Sequence, residues 1–203
     1  EIYRAMTAGQ TKHNEALFPL MPYLSYSKLD IEDAKAIIAY LRTLKPIEND
    51  IPLSAPTFPF SLIMKTIPTK AEPVKIPSMS DSIAYGKYLT TIAACADCHT
   101  PMEKGEPIKH LTFAGGMKFI LPNGSIVYSS NITPDDDMGI GIWEKSDFIE
   151  KFKYYEDNAS RNVKPNEFNT IMPWVMYAGM TEEDLGAIYT YLRTVTPNKN
   201  KVE

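Results

Sequence analysis

The sequence has few residues that could bind a transition metal. Its 203 residues include two Cys and three His, whereas a structural zinc site normally takes four such side chains. Both Cys and one His fall within five consecutive positions, and His13 and His110 stand apart from them. Those five positions are therefore the first place to look for metal or redox chemistry.

A long hydrophobic run is also missing. Apolar residues make up 44% of the chain, enough for a packed core, but no run approaches the ~18 residues of a membrane-spanning helix. No basic segment followed by an apolar one opens the sequence, so we expect no signal peptide in the chain as given. The length suits one or two domains.

The chain carries no strong excess of one charge. Its formal net charge is -4, from 21 basic and 25 acidic residues. Nucleic-acid binding needs clustered Lys and Arg, so we expect no nucleic-acid partner. The small negative charge mildly favours a basic docking partner, although a charge of this size also serves solubility.

The five positions read Cys95-Ala96-Asp97-Cys98-His99. C-x-x-C-H is the signature of covalent haem attachment. The two thiols would add to the two vinyl groups of a haem, and His99 would be the proximal ligand of the iron. Two anchors three residues apart fit one helical turn along one edge of the macrocycle, which places the next residue beneath the metal.

Three other interpretations of the pentapeptide remain open at this point. A zinc site would need further ligands. A thioredoxin-type C-x-x-C belongs in a βαβ context, which the residues around Cys95 do not predict. A plain disulfide would leave His99 unexplained.

The chain contains an internal repeat. Segments 20–46 and 171–197 align without a gap at an offset of 151, and 12 of 27 positions are identical. Each has a Met-Pro pair, then an N-cap (Asp30 or Thr181) with Asp three residues on, as in a capping box. Each then has a helical pattern, Ile31 to Leu44 and Glu182 to Val195. A match of this kind indicates duplicated modules.

The repeat is lopsided. Cys95 lies 77 residues before Met172, but only 20 residues precede Met21, and they contain no C-x-x-C-H. We therefore expect the first module to lack its front half, which would carry its own attachment motif. Residues 47–79 hold six prolines, which break regular elements, and enough apolar residues to pack on the modules as a linker.

Local patterns predict the elements of the second module. A helix is expected from Ser82 to Ala94, with Gly86 inside it at a cost of ~1 kcal/mol relative to Ala, which a close helix crossing would explain. A hairpin is predicted at 119–128 around Pro-Asn-Gly. A further helix is predicted at 145–155, followed by a polar loop at 156–170.

Taken together, these motifs resemble class I cytochrome c. The order is C-x-x-C-H, Asn-Ile-Thr-Pro-Asp, Gly-Ile-Gly-Ile-Trp, Met-Pro-aromatic and a final helix ending in Tyr-Leu-Arg-Thr. More narrowly, it is similar to the multi-haem cytochrome c subunits of bacterial alcohol and aldehyde dehydrogenases. The resemblance implies an all-α fold with a small β-hairpin. It implies a complete domain at 80–203 with covalent haem, preceded at 1–46 by the C-terminal half of a second such domain.

The same resemblance implies a methionine as the sixth iron ligand. It points to Met172, whose counterpart Met21 would serve a haem of the truncated module. Met176 and Met180 are nearby rivals without a Met counterpart. His13 and His110 are alternatives, but single histidines in polar surroundings are more often surface residues. A thioether ligand favours ferrous iron and raises the reduction potential.

Further residues are candidates for the surroundings of the haem. Pro101 would support the imidazole, which the resemblance alone suggests. Tyr128, Asn131, Trp143 and Trp174 are candidates to line the haem edge or bind its propionates, and ordinary packing would explain each equally well.

The sequence therefore predicts an electron carrier rather than an enzyme. It would pass single electrons between redox proteins, namely a dehydrogenase, a quinone-linked complex or a terminal oxidase. An extracytoplasmic, periplasmic location is expected, because haem of this type is attached there. The alternatives are a peroxidase-like haem enzyme with a displaceable sixth ligand and a C-x-x-C module without haem.

Overall fold

The computed structural model describes residues 1–18, 20–52, 54–66, 70–157 and 170–202. The chain divides into two compact units. Unit 1 comprises Glu1–Ile76 with Thr91–Ala94, and unit 2 comprises Pro77–Thr90 with Cys95–Glu203. In the described part of the chain, no helix is long and apolar enough to cross a membrane.

Unit 1 is built from short helices. They are α1 (Ile2–Ala8), α2 (Tyr23–Tyr26), α3 (Ile31–Leu41) and α4 (Phe60–Ile63), which a 3-10 turn at Met64–Thr66 extends. Tyr23, Leu29, Ala34 and Met64 are buried in its core. α1 ends at Gly9, whose left-handed backbone (φ 63°) lies against the ring of Tyr23.

The segment before residue 77 is bound to unit 1 by hydrogen bonds. Glu72 and Val74 donate backbone N–H groups to the carbonyls of Ser27 and Lys28, at 3.0 and 3.3 Å. Asp30 accepts from the backbone N–H of Glu32 at the start of α3 and from that of Ile76. One carboxylate therefore caps a helix and holds the end of the Pro-rich segment.

In its described residues, unit 2 combines five α-helices with two small antiparallel hairpins. The helices are α5 (Ser82–Ile92), α6 (Cys95–His99), α7 (Lys145–Lys153), α8 (Trp174–Tyr177) and α9 (Glu182–Leu192). The hairpins pair β1 (Met102–Glu103) with β2 (Glu106–Pro107), and β3 (Lys118–Ile120) with β4 (Ile126–Tyr128). The predicted helical domain with a small β-hairpin is thus confirmed for β3–β4, and the β1–β2 hairpin was not predicted.

Helices α5 and α9 cross closely at Gly86. A Cβ built on Gly86 would lie 1.9 Å from the carbonyl oxygen of Ala187 and 3.0 Å from Cβ of Tyr191. The hydroxyl of Tyr85 donates to Oδ1 of Asp184 at 2.7 Å across the same crossing. The expected reason for a glycine within this helix is confirmed.

The repeated segments have matching local geometry. In both, the residue after Met-Pro donates its N–H to the Met carbonyl, at 2.7 Å for Met21 and 2.8 Å for Met172. The prolines have φ/ψ of -75°/57° and -80°/60°. The helices that follow, α2 with α3 and α8 with α9, have identical lengths at an offset of 151. Thr181 and Asp184 form the complete capping box at α9, while Asp30 caps α3 through Glu32.

Some predicted boundaries differ from those observed. Four predicted helices end two or three residues early. Those ending at Leu41, Ile92 and Leu192 are followed by a turn, and α7 ends at Lys153, before a 3-10 helix at Tyr154–Glu156. Pro59 precedes α4 rather than preventing a helix, since proline is tolerated at a helix start. Most of the polar loop predicted at 156–170 falls outside the described residues.

Candidate functional site

The C-x-x-C-H residues form a helix of their own. α6 spans Cys95–His99, and it is separated from α5 by a turn in which Ala94 adopts a left-handed backbone (φ 56°). Cys95 and Cys98 therefore stand one helical turn apart. Both are free thiols and partly exposed.

The imidazole of His99 is fixed by a backbone acceptor. Nδ1 lies 2.7 Å from the carbonyl oxygen of Ser130. Since a carbonyl can only accept, Nδ1 carries the proton and Nε2 keeps its lone pair for a metal. Burial lowers the pKa of His99, and the bond to Ser130 opposes that shift. The ring is thus neutral and oriented at neutral pH.

The two thiols are held in their neutral form. Burial, followed by the proximity of Cys98, raises the pKa of Cys95 to about 12. Burial and then Asp97 raise the pKa of Cys98. Reactive C-x-x-C pairs instead have a lowered cysteine pKa, so the environment does not favour a thioredoxin-type redox function.

A loop that contains Gly115 is hydrogen-bonded to the backbone of His99. The backbone N–H of Gly115 donates to the carbonyl of His99 at 2.8 Å. A Cβ built on Gly115 (φ 69°) would lie 2.4 Å from the carbonyl carbon of Ser130. Only a glycine fits between the histidine and the segment that carries its acceptor.

These residues fit a covalently attached haem. Two neutral thiols on one helical turn stand directly before an imidazole whose Nε2 is available, which is the donor set that such a haem takes. A zinc site would need more ligands. Within the described ranges, no group of three or more His, Cys, Asp and Glu could hold a metal ion.

Met172 precedes α8 and is partly buried. Its N–H donates to the hydroxyl of Thr170 at 3.2 Å, and its carbonyl accepts from Trp174. Of its rivals, Met176 is 75% exposed and Met180 is partly buried. Met172 as the sixth ligand therefore stays a prediction, as does Met21, which is partly buried in unit 1.

His13 and His110 are both exposed, as expected for surface residues. Pro101 follows the site by two positions, and its carbonyl accepts from the N–H of Ile108 at 2.9 Å. Tyr128 is 44% exposed at the end of β4. A role for Pro101 or Tyr128 beside the haem stays a prediction.

The two tryptophans lie in or beside an aromatic cluster. Trp174 stacks on Tyr155 with ring centroids 5.0 Å apart and contacts Phe152 at 5.1 Å. The carbonyl of Trp143 accepts from the hydroxyl of Tyr189 at 2.6 Å. These contacts account for packing, and a direct role of either indole at the haem stays a prediction.

Asn131 is buried, and its side chain is fully engaged. Its Oδ1 accepts from the N–H and hydroxyl of Thr133, at 2.9 and 2.7 Å. Its Nδ2 donates to the carbonyls of Asn198 and Asn200. The predicted contact with a haem propionate would have to compete with these bonds.

The sequence did not reveal Ser130, Gly115, Asn198 and Asn200 as parts of the site. Ser130 acts through its carbonyl, which every residue has, so no side-chain pattern marks it. Gly115-Gly116 was a visible signal, because paired glycines mark a special backbone conformation.

The first and last helices of unit 2 cross, and the C-x-x-C-H motif is helical with its histidine held by a hydrogen bond. These features are those of proteins that bind haem covalently. The family model for cytochrome c matches residues 83–196. Since the match covers more than half of the 203 residues, the chain belongs to the cytochrome c family. Membership implies covalently bound haem c and a function in electron transfer.

Several relatives that the chain resembles are cytochrome subunits of dehydrogenases. It is 29% identical over 95% of its length to the fructose dehydrogenase cytochrome subunit of Gluconobacter japonicus, and covers 40% of that protein. It is 27% identical over 97% of its length to the cytochrome c subunit of a quinone alcohol dehydrogenase from Gluconacetobacter polyoxogenes, and covers 44% of it. It is 35% identical over 52% of its length to the gluconate 2-dehydrogenase cytochrome c subunit of Pantoea cypripedii, of which it covers 21%.

The chain thus spans less than half the length of the curated relatives it matches. Their names connect them with dehydrogenases, and this connection comes to the present chain only as a proposal.

Proposed function

We propose that unit 2 carries single electrons on one haem c, which is attached through Cys95 and Cys98 and ligated by His99 and Met172. The observation that carries this proposal is the 2.7 Å contact between His99 Nδ1 and the Ser130 carbonyl, directly after two thiols on the same short helix. When bound, the haem supplies an iron that alternates between the ferrous and ferric states.

The two cysteines would fix the position of the macrocycle. Each Sγ would form a thioether bond with a vinyl group, and their one-turn spacing sets the attached edge along α6. In the net addition, sulfur would bond one vinyl carbon and the thiol hydrogen would end on the other, so that the step needs no oxidant. The raised pKa of both thiols argues against a thiolate metal site.

His99 and Met172 would both ligate the iron. His99 donates through Nδ1 to Ser130, which makes Nε2 a more basic ligand. The thioether of Met172 favours ferrous iron and raises the reduction potential. Ligation by both side chains would keep peroxide and oxygen from the metal, which supports electron transfer rather than peroxidase chemistry.

Residues 1–46, which lie in unit 1, are proposed to be the C-terminal half of a second module, followed by the Pro-rich linker at 47–79. In unit 2, Ile188 and Leu192 are 4% and 1% exposed where α5 covers α9. Their counterparts on α3, Ile37 and Leu41, are 38% and 42% exposed. This difference in exposure supports a further helix, equivalent to α5, that packs on α3. That helix would belong to a segment with its own C-x-x-C-H.

A buried polar atom in unit 1 supports the same proposal. Tyr23 is 1% exposed, and among the described residues its hydroxyl is buried without a hydrogen-bond partner. Such a group is costly unless something pairs with it. Tyr23 occupies the position that Trp174 has in unit 2, two residues after the methionine. A haem ligated by Met21 would bring polar groups to this region.

The proposed partners are redox proteins, with a dehydrogenase or quinone-linked complex as the electron donor and another haem or a terminal oxidase as the acceptor. The names of the relatives support the first of these. A periplasmic or otherwise extracytoplasmic location is proposed with them, together with association with a membrane through partners or segments outside this chain.

A redox titration followed by ligand addition tests the electron-transfer function. We expect a reversible one-electron transition, and a reduced protein that neither binds carbon monoxide nor turns over peroxide. Rapid carbon monoxide binding with peroxidase activity would instead support a haem enzyme whose sixth ligand is displaceable. A purified protein without haem would refute both.

A further inference from the structure

Residues 198–200, which follow α9, are hydrogen-bonded to two loops of unit 2, and we call them the tail clamp. The amide of Asn200 donates from Nδ2 to the carbonyls of Ala114 and Gly115, at 3.0 and 3.3 Å. The amide of Asn198 donates to the carbonyl of His110 at 3.0 Å. The tail clamp is therefore hydrogen-bonded to residues 110–115, the segment that ends at Gly115.

Asn198 and Asn200 are also hydrogen-bonded to a second loop. Nδ2 of Asn131 donates to the carbonyls of Asn198 and Asn200, at 2.8 and 3.2 Å. The N–H of Asn198 donates to the hydroxyl of Thr133 at 3.1 Å. Asn131 and Thr133 are 5% and 0% exposed, and bonds shielded from water in this way are stronger than exposed ones.

These two loops are the ones that contact His99. The first loop supplies the Gly115 N–H that donates to the His99 carbonyl at 2.8 Å. The second supplies the Ser130 carbonyl, directly before Asn131, that accepts from Nδ1. The tail clamp thus links the loop of Gly115, which bonds the His99 backbone, to the loop of Ser130, which bonds the His99 side chain.

We propose that Asn198 and Asn200 are positioning residues that fix the Ser130 carbonyl relative to His99 Nδ1 and thereby lower the reduction potential of the iron that His99 binds. The proposal rests on His99 being the proximal ligand. A firm Nδ1–H···O bond makes the imidazole a stronger donor and stabilises the ferric state. If the Ser130 carbonyl is held less firmly, the imidazole donates less strongly to the iron, and the ferrous state becomes more stable relative to the ferric state.

The test compares Asn200→Ala with the wild-type chain, both loaded with haem. The variant removes the bonds to Ala114 and Gly115 but leaves every residue that contacts the imidazole. We expect its reduction equilibrium constant to rise by up to about tenfold, which is 59 mV for one electron. We also expect the Nδ1 proton of His99 to exchange faster with solvent, as measured by NMR.

Lys199→Arg is the matched control. Lys199 lies between the two asparagines, and its side chain is 81% exposed, with an ion pair of 3.8 Å to Asp137 that is also exposed. The control keeps the charge and all bonds of the clamp. Its potential and its Nδ1 exchange rate should equal those of the wild type.

An Asn200→Ala protein that retains haem with wild-type potential and wild-type Nδ1 exchange would overturn the proposal and leave the proposed function intact. A wild-type protein without haem would instead refute the proposed function. If Asn200→Ala does not accumulate, Asn198→Ala removes the single bond to His110 together with the Oδ1 acceptor of the Asn200 N–H. The same two measurements on that variant then decide.

Discussion

Gly86 of α5 lies against the carbonyl of Ala187 in α9, so close that a Cβ on Gly86 would be 1.9 Å from that oxygen. Main-chain atoms meet directly here, and neither helix can yield without moving its backbone. The contact holds the first and last helices of unit 2 together, and α6 with its cysteines follows the first of them. The crossing therefore underlies the geometry of the haem site.

Gly86→Ala should destabilise unit 2 strongly. Overpacking against backbone atoms typically costs about 1–3 kcal/mol, and we expect the upper end of this range because no side chain can rotate away. In a domain of this size that corresponds to a fall in Tm on the order of 10 °C. Thermal unfolding of the haem-loaded protein, followed by circular dichroism, measures it.

Gly186→Ala is the matched control for that variant. Gly186 lies on α9 beside Ala187, and a Cβ there would meet only side-chain atoms at 3.5 and 3.8 Å, which is ordinary contact. Since Ala favours a helix interior by about 1 kcal/mol over Gly, this variant should be neutral or stabilised. Equal loss of stability in both variants would contradict the close crossing.

The helices were predictable because their signals are local. Apolar spacing indicated α3, α7 and α9, N-caps indicated where α3 and α9 begin, and the Pro-Asn-Gly turn indicated the β3–β4 hairpin. The β1–β2 hairpin was missed, because its turn is Lys104-Gly105 with positive φ at both positions. Lysine rarely adopts a positive φ, so the residue type at position 104 did not predict this turn.

The site was predictable only in part, for a different physical reason. Cys95, Cys98 and His99 are adjacent in sequence, so their chemistry is visible in the pentapeptide. Ser130 acts through a backbone carbonyl 31 positions away. Asn200 acts on Ala114 from 86 positions away. Contacts of this range depend on how the loops fold back, which no local pattern encodes.

Met172→Ala should open the sixth position of the iron. Loss of the thioether removes a ligand that favours the ferrous state. The reduction potential should therefore fall, by on the order of 100 mV within the ~0.8 V range that axial ligands span. The reduced variant should bind carbon monoxide, which absorption spectroscopy detects.

Met176→Ala is the control for the sixth ligand. Met176 lies four residues further along and is 75% exposed, so its loss should leave the spectrum and the potential unchanged. If Met176→Ala rather than Met172→Ala opens the iron, the assignment of the sixth ligand is wrong.

Asp30→Asn should change how unit 1 responds to acid. Hydrogen bonds from the backbone of Ile76 and Glu32 hold the pKa of Asp30 below its ordinary value of 3.8. A lowered carboxyl pKa stabilises the fold above the ordinary value, and this stabilisation is lost as the pH falls through the lowered one. The variant should thus be less stable than wild type at pH 7, with the difference shrinking towards pH 3.

Urea unfolding at pH 7 and pH 3 measures that difference. Asp50→Asn serves as the control, because Asp50 is exposed in the segment after α3 and its replacement should have little effect at either pH. A stability difference for Asp30→Asn that is the same at both pH values would show that the carboxylate does not act through these two bonds.

The covalent attachment of haem at Cys95 and Cys98 is the central claim, and the amount of haem per chain tests it most directly. Intact mass and the pyridine haemochrome spectrum should show one haem that survives acidic acetone extraction, and none in the double variant Cys95→Ser with Cys98→Ser. Loss of the haem from the wild-type chain on extraction, or two haems attached to it, would contradict the account.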